Sequence, residues 1–173
     1  MSTFCYTRPV RAPPRWLDGA EARAWRGWLR LCWLLDAAIA RDLARDSGLS
    51  HPDYYVLVQL SETPGHRMRM SDLAAGIQWS KSRVSHQVRR MEDRGLVRRE
   101  DCASDARGTY ACLTREGLRA IQEAAPMHVE SIRRNLIDHL SPRDIAWLGD
   151  VTERVAARLA AILDEPQDTA ASR

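Results

Sequence analysis

The most concentrated chemistry in the chain lies between residues 80 and 90, in the run Ser80-Lys81-Ser82-Arg83-Val84-Ser85-His86-Gln87-Val88-Arg89-Arg90. On a helix turning about 100° per residue, Val84, Val88 and Met91 fall on one narrow stripe and must face a core. Opposite them lie Ser82, His86, Arg89 and Asp93, with Arg83 and Arg90 on the flanks. Guanidinium groups can bind a guanine edge through two parallel hydrogen bonds, and serine and histidine can meet base edges or phosphates. The small residues Ser80, Ser82 and Ser85 allow the helix N-terminus, with its free N–H groups, to approach a phosphate backbone. The candidate reading set is therefore Ser80, Lys81, Ser82, Arg83, Ser85, His86, Arg89 and Arg90. An amphipathic surface helix carrying ion pairs has the same pattern, so the surroundings must decide.

A second constellation follows in Asp105-Ala106-Arg107-Gly108. A turn there can project Arg107 into a minor groove, where negative potential is concentrated. Asp105 could hold the guanidinium in place, although a solvated turn with a loose ion pair fits the same residues. The charge distribution agrees with an anionic partner. Between His66 and Gly108 there are ten Arg and Lys against six Asp and Glu, while the chain as a whole carries only +3. The positive excess thus sits in the block that holds both constellations.

These side chains need elements to carry them. A long helix is expected over 17–45, with Trp25, Trp28, Leu29, Cys32, Leu35, Ile39 and Leu43 at helical spacing and Gly48 ending it. Ser50-His51-Pro52-Asp53 reads as a capping box opening a short helix, and Thr63-Pro64-Gly65 reads as the turn that closes it. An extended stretch at 67–70 comes next. Ser71 is expected to cap one short helix and Ser80 the next, which ends at Gly95. Two strands, 96–101 and 109–113, should flank a polar turn at 102–108. Thr114 caps a helix expected to reach residue 139, with Pro126 kinking or splitting it. Ser141-Pro142 opens a final apolar helix. The order predicts a mainly α fold with a small β-hairpin wing (α+β): a winged helix-turn-helix with helical extensions at both ends.

Five segments, Met70-Ser71-Asp72-Leu73-Ala74, Ser80-Lys81-Ser82-Arg83-Val84-Ser85, Arg90-Met91-Glu92-Asp93-Arg94-Gly95-Leu96-Val97, Asp105-Ala106-Arg107-Gly108 and Leu113-Thr114-Arg115-Glu116-Gly117, together resemble the MarR family of bacterial regulators. The resemblance covers residues 50–117. It implies a transcriptional regulator that binds double-stranded DNA as a homodimer, with N- and C-terminal helices forming a dimerisation domain. The expected organisation is a flexible arm at 1–14, a dimerisation helix at 15–49, the DNA-binding domain at 50–117, dimerisation helices at 118–165 and a disordered tail at 166–173. A twofold dimer would read a pseudo-palindrome with half-sites roughly 10 bp apart, and repression is the expected sign.

The resemblance also implies that a small ligand or an oxidant releases the DNA. Trp25, Arg26 and Trp28 could line a pocket for an aromatic or anionic ligand, although such a stripe also suits a core or a dimer interface. Cys32 resembles the region of the peroxide-sensing cysteine in one branch of the family. Asp36 four residues on disfavours a thiolate there, so a buried inert thiol competes with a redox-sensing role. A non-specific architectural DNA-binding protein is the remaining alternative. No catalytic residue, metal site or cofactor is expected: there is no H-E-x-x-H, G-x-G-x-x-G or P-loop pattern, and the five histidines are scattered. No run of about 18 apolar residues suggests a membrane span. The basic N-terminus lacks the apolar stretch of a secretory signal, and the four cysteines show no C-x-x-C spacing. A cytoplasmic, nucleoid-associated protein with reduced thiols is expected.

Overall fold

The computed structural model describes residues 14–102 and 105–164. The chain divides into two compact units, 1–34 and 35–173.

In the first unit, Asp18 starts helix α1 (Gly19–Ser47). Its Oδ1 accepts from the amides of Ala20 and Glu21, both at 2.8 Å, and Glu21 Oε2 accepts from the Asp18 amide at 3.0 Å. This reciprocal cap explains why the helix begins two residues later than its apolar pattern. Trp16, Leu17, Trp25, Trp28, Leu31, Trp33 and Leu34 are all exposed in this unit.

The second unit begins within α1 and continues through α2 (His51–Glu62), β1 (Arg67–Arg69), α3 (Met70–Gly76), α4 (Lys81–Asp93), β2 (Val97–Cys102), β3 (Asp105–Leu113), α5 (Arg115–Asn135) and α6 (Pro142–Asp164). The antiparallel sheet has the order β1-β3-β2. Val97 pairs with Leu113 and Arg99 with Ala111 on one side of β3, and Arg67 with Cys112 and Arg69 with Tyr110 on the other. The extended stretch before α3 is thus a third strand of the wing sheet. Cys102 pairs with Asp105 and Cys112 with Arg98, so the two thiols stand at different levels of the hairpin.

Val56, Leu57 and Leu60 of α2, Leu73 of α3, Val84, Val88 and Met91 of α4, and Ala111 and Ala124 from β3 and α5 are completely buried together. Each large apolar side chain so buried contributes about 1.5–3 kcal/mol. This core is what fixes the rotation of α4 about its axis. A second, polar contact ties α1 to α5. Asp42 is buried, and its Oδ2 accepts from Ser131 Oγ at 2.7 Å, Arg134 Nη2 at 2.7 Å and Asn135 Nδ2 at 3.0 Å, while Arg45 Nη1 donates to Oδ1 at 3.0 Å. The Ser131 hydrogen bond, followed by those from Arg134 and Asn135, holds this carboxyl well below the usual range against the opposing effect of burial.

Two local expectations need correction, and a third is narrowed. Arg69, not Ser71, occupies the cap position of α3, because β1 runs directly into the helix; Ser71 Oγ donates to Asp72 Oδ1 instead, at 2.9 Å. Of the kink or split expected at Pro126, the split is absent: the proline lies inside a continuous α5. The carbonyl it leaves without an amide belongs to Gln122, and both residues are exposed, so water can supply the missing donor. α5 stops at Asn135, short of residue 139, where Leu136 leaves helical geometry and a 3-10 turn (Ile137–His139) begins. Along α6, Ile145, Trp147, Val155, Leu159, Ile162 and Leu163 are exposed. Among the described residues no helix is long and apolar enough to cross a membrane.

Candidate DNA interface

Helix α4 is set by its turn, its cap and a buried polar lock. In the turn after α3, Gln78 adopts a left-handed backbone, and the Trp79 amide donates to Ala74 O at 2.9 Å. Ser80 caps α4 by accepting from the Arg83 amide at 3.3 Å, and its hydroxyl stands 3.1 Å from that of Ser82. Beside the apolar stripe, Gln87 is also buried and donates to Asp53 Oδ1 at 2.6 Å. Arg94, just past the end of α4, donates to Asp53 Oδ2 at 2.6 Å and to the Gly48 carbonyl at 3.2 Å. Asp53 also closes the capping box of α2, accepting from the Ser50 amide at 2.9 Å. Burial pushes the Asp53 carboxyl up, but hydrogen bonds from the Ser50 amide, Arg94 and the Ser50 hydroxyl outweigh it and bring the pKa below the ordinary value.

With one side of α4 locked, Ser80, Lys81, Ser82, Arg83, Ser85, His86, Arg89 and Arg90 are all exposed on the other sides. The Arg83 guanidinium lies 4.0 Å above the Trp79 ring. Beside α4 is a cleft of about 330 Å³ lined by Arg69, Ser71, Lys81, Ser85, Arg99 and Thr109, among others. One of its walls is the start of α4 and the other is the wing sheet. Arg99 is oriented by Glu92, which accepts from its Nε at 2.7 Å and from its amide at 2.9 Å. Arg69 lies near the Tyr110 ring, which Arg67 covers at 4.2 Å. Three cations, two hydroxyls and the threonine of β3 thus line a recess whose chemistry suits an anion.

Sequence reasoning found Lys81 and Ser85 in this recess but not Arg69, Ser71 or Arg99. Only the pairing of β1 with β3 brings Arg69 there, and no local pattern marks it. The Asp105 and Arg107 side chains, and the ion pair expected between them, lie outside the described residues.

The candidate signal residues lie elsewhere. Trp25, Arg26 and Trp28 are exposed on α1, and Cys32 is partly exposed. The Asp36 carboxylate accepts from the His51 ring, with Nδ1 2.9 Å from Oδ1. Among the described residues no group of three His, Cys, Asp or Glu side chains could hold a metal ion.

Fold and site together define a winged helix-turn-helix protein with an exposed cationic face on its second helix. A model of the MarR family matches residues 47–108. The chain is 47% identical to AbsC, a MarR family transcriptional regulator from Streptomyces coelicolor, over 86% of this chain and 99% of that one, with a TM-score of 0.79. It is 42% identical to Sco3205, a MarR family transcriptional regulator from Streptomyces coelicolor whose structure was solved in complex with DNA. That match covers 83% of this chain and 90% of the other, with a TM-score of 0.79. The transcriptional regulator HosA of Escherichia coli is 31% identical over 97 residues, which is 56% of this chain and 69% of HosA. The chain belongs to the MarR family of transcriptional regulators.

Proposed function

We propose that this protein is a homodimeric repressor that binds a pseudo-palindromic double-stranded operator and releases it when a small ligand binds. The exposed Ser82, His86 and Arg89 face of α4, flanked by the three-cation cleft, carries this reading. In it α4 enters the major groove and Arg107 reaches the adjacent minor groove. The cleft takes the phosphate backbone that runs between them. Sco3205, 42% identical to this chain, was solved in complex with DNA, which supports DNA as the partner.

The dimer is supported by surface that one chain leaves bare. The tryptophan-rich start of α1 and the apolar residues of α6 are exposed, and water-facing patches of that kind mark protein interfaces. In this reading 15–49 and 118–165 hold the two chains together and 50–117 reads DNA, so the half-sites lie about one helical turn apart. A dimer lying across a promoter blocks polymerase, which makes repression the default sign, and places the protein with the chromosome. The ligand is a small aromatic or anionic molecule met by Trp25, Arg26 and Trp28, which combine rings with a cation.

Two variants test the docking face. Arg89→Ala should lose roughly 1–3 kcal/mol on the operator and relax base preference at one position in each half-site. Arg107→Ala should weaken binding to all sequences and lower the salt slope of the dimer by about two, one contact being lost from each wing. Wild-type binding by both variants would refute the face.

A further inference from the structure

Trp79 is not part of α4 and carries no charge, yet its ring lies under the Arg83 guanidinium at 4.0 Å. Several features keep the ring there. The Trp79 amide is tied to Ala74 O at 2.9 Å, and the preceding Gln78 is fixed in a left-handed turn. The indole meets the ring of Tyr55 edge-on at 6.4 Å, and Tyr55 is stacked on His51 at 4.6 Å. Among the described residues, no ion pair to Arg83 is present, so the indole is what orients its cation.

The position of Arg83 on α4 says what it can reach. At about 100° per residue, Arg83 lies roughly 200° around the helix from Lys81, and Ser85 lies only roughly 40° from Lys81. Lys81 and Ser85 line the cleft on the wing side. Ser82, His86 and Arg89 fall between the two flanks. A helix lying in a major groove has one phosphate strand along each flank. The wing-side strand meets the cleft, and the other strand meets the flank that carries Arg83.

We propose that Trp79 is a positioning residue, holding Arg83 over its ring so that the guanidinium clamps the phosphate strand on the groove wall opposite the cleft. The proposal rests on the DNA-binding reading above. A cation over an indole keeps its N–H edges free to donate, so the ring orients Arg83 without consuming its hydrogen bonds.

The test is a double-mutant cycle on the full-length protein, with binding measured on operator DNA and on random duplex over a range of salt. Arg83→Ala should weaken both complexes by the same factor, roughly fivefold or more, and lower the salt slope of the dimer by about 1.8, one phosphate contact being lost from each protomer. Trp79→Leu should reproduce most of that loss, and Trp79→Tyr, which keeps a π face, should restore it. Adding Trp79→Leu to Arg83→Ala should then change nothing further. Thermal unfolding of each variant checks folding, and Trp79→Met, longer and more adaptable than leucine and without a π face, replaces Trp79→Leu if that variant does not fold. Three results would overturn the proposal: an unchanged salt slope in Arg83→Ala, a change of base preference in Arg83→Ala, or a Trp79 effect of equal size with and without Arg83. A wild type that fails to bind operator DNA would overturn the functional reading with it. A wild type that binds beside an unaffected Arg83→Ala overturns the clamp alone.

Discussion

Asp53→Ala should lower the stability of the folded chain by about 3 kcal/mol, because it leaves a buried network without its central acceptor. Asp53 is almost completely buried and joins three separate pieces of chain: its own helix cap at Ser50, Gln87 inside α4, and Arg94 just beyond α4. Its removal leaves the Gln87 amide buried without that acceptor and frees the guanidinium that ties α4 to Gly48. Urea unfolding at neutral pH measures the loss, and a change under 1 kcal/mol would contradict the lock. The same carboxyl sets an acid limb. Folding lowers the Asp53 pKa, so its contribution is complete above the ordinary aspartate value of about 3.9 and fades as pH falls below it towards the folded value. Asp53→Asn should therefore be less stable than wild type at neutral pH and should lose less stability on acidification. Because the lock sits on the buried side of α4, both variants should also bind DNA less tightly under conditions where they remain folded.

Gly117→Ala should be about as damaging, at about 3 kcal/mol, for a steric reason. Thr114 caps α5, its hydroxyl accepting from the Gly117 amide at 2.9 Å. A Cβ on Gly117 would stand 2.0 Å from the Leu96 carbonyl oxygen and 2.8 Å from Leu113 Cδ1. The side chain of Leu113 could give way, but the carbonyl could not do so freely. It accepts from the Thr114 amide at 3.2 Å and from the Thr114 hydroxyl at 3.0 Å, and these bonds anchor the wing to the start of α5. The glycine is needed for close approach, since it has no positive φ. Thermal unfolding of Gly117→Ala should show a clear fall in Tm, and a Tm equal to wild type would mean that the strand-to-helix junction is looser than described.

The parts of the fold that were legible in the sequence are those with a local cause. Val84, Val88 and Met91 share a stripe by periodicity alone, and all three are fully buried. The Ser50–Asp53 box and the Ser80 and Thr114 caps follow from residue type and spacing, and the expected hydrogen bonds are present. Ser71 misled because a cap residue is also a good first-turn residue, and a strand entering directly from Arg69 cannot be seen in a short window. Of the two outcomes expected at Pro126 the split is absent, because water can reach the Gln122 carbonyl, a matter of exposure that the local pattern does not carry. The site divides in the same way. The exposed residues of α4 come from one helical period. Gln87 meets Asp53 across 34 positions, and Arg69 reaches the cleft through a strand pairing with residues more than 40 positions later. Neither long-range partner leaves a mark on the local pattern.

α4 and the wing should together read a particular DNA sequence. The most direct test is equilibrium binding of the full-length protein to the duplex it selects from a random pool, against unselected duplex of the same length, over a range of salt. The selected duplex should be a pseudo-palindrome with half-sites roughly 10 bp apart, bound about a thousandfold or more tightly than unselected DNA. Equal affinity for both duplexes, with the same salt slope, would contradict the claim.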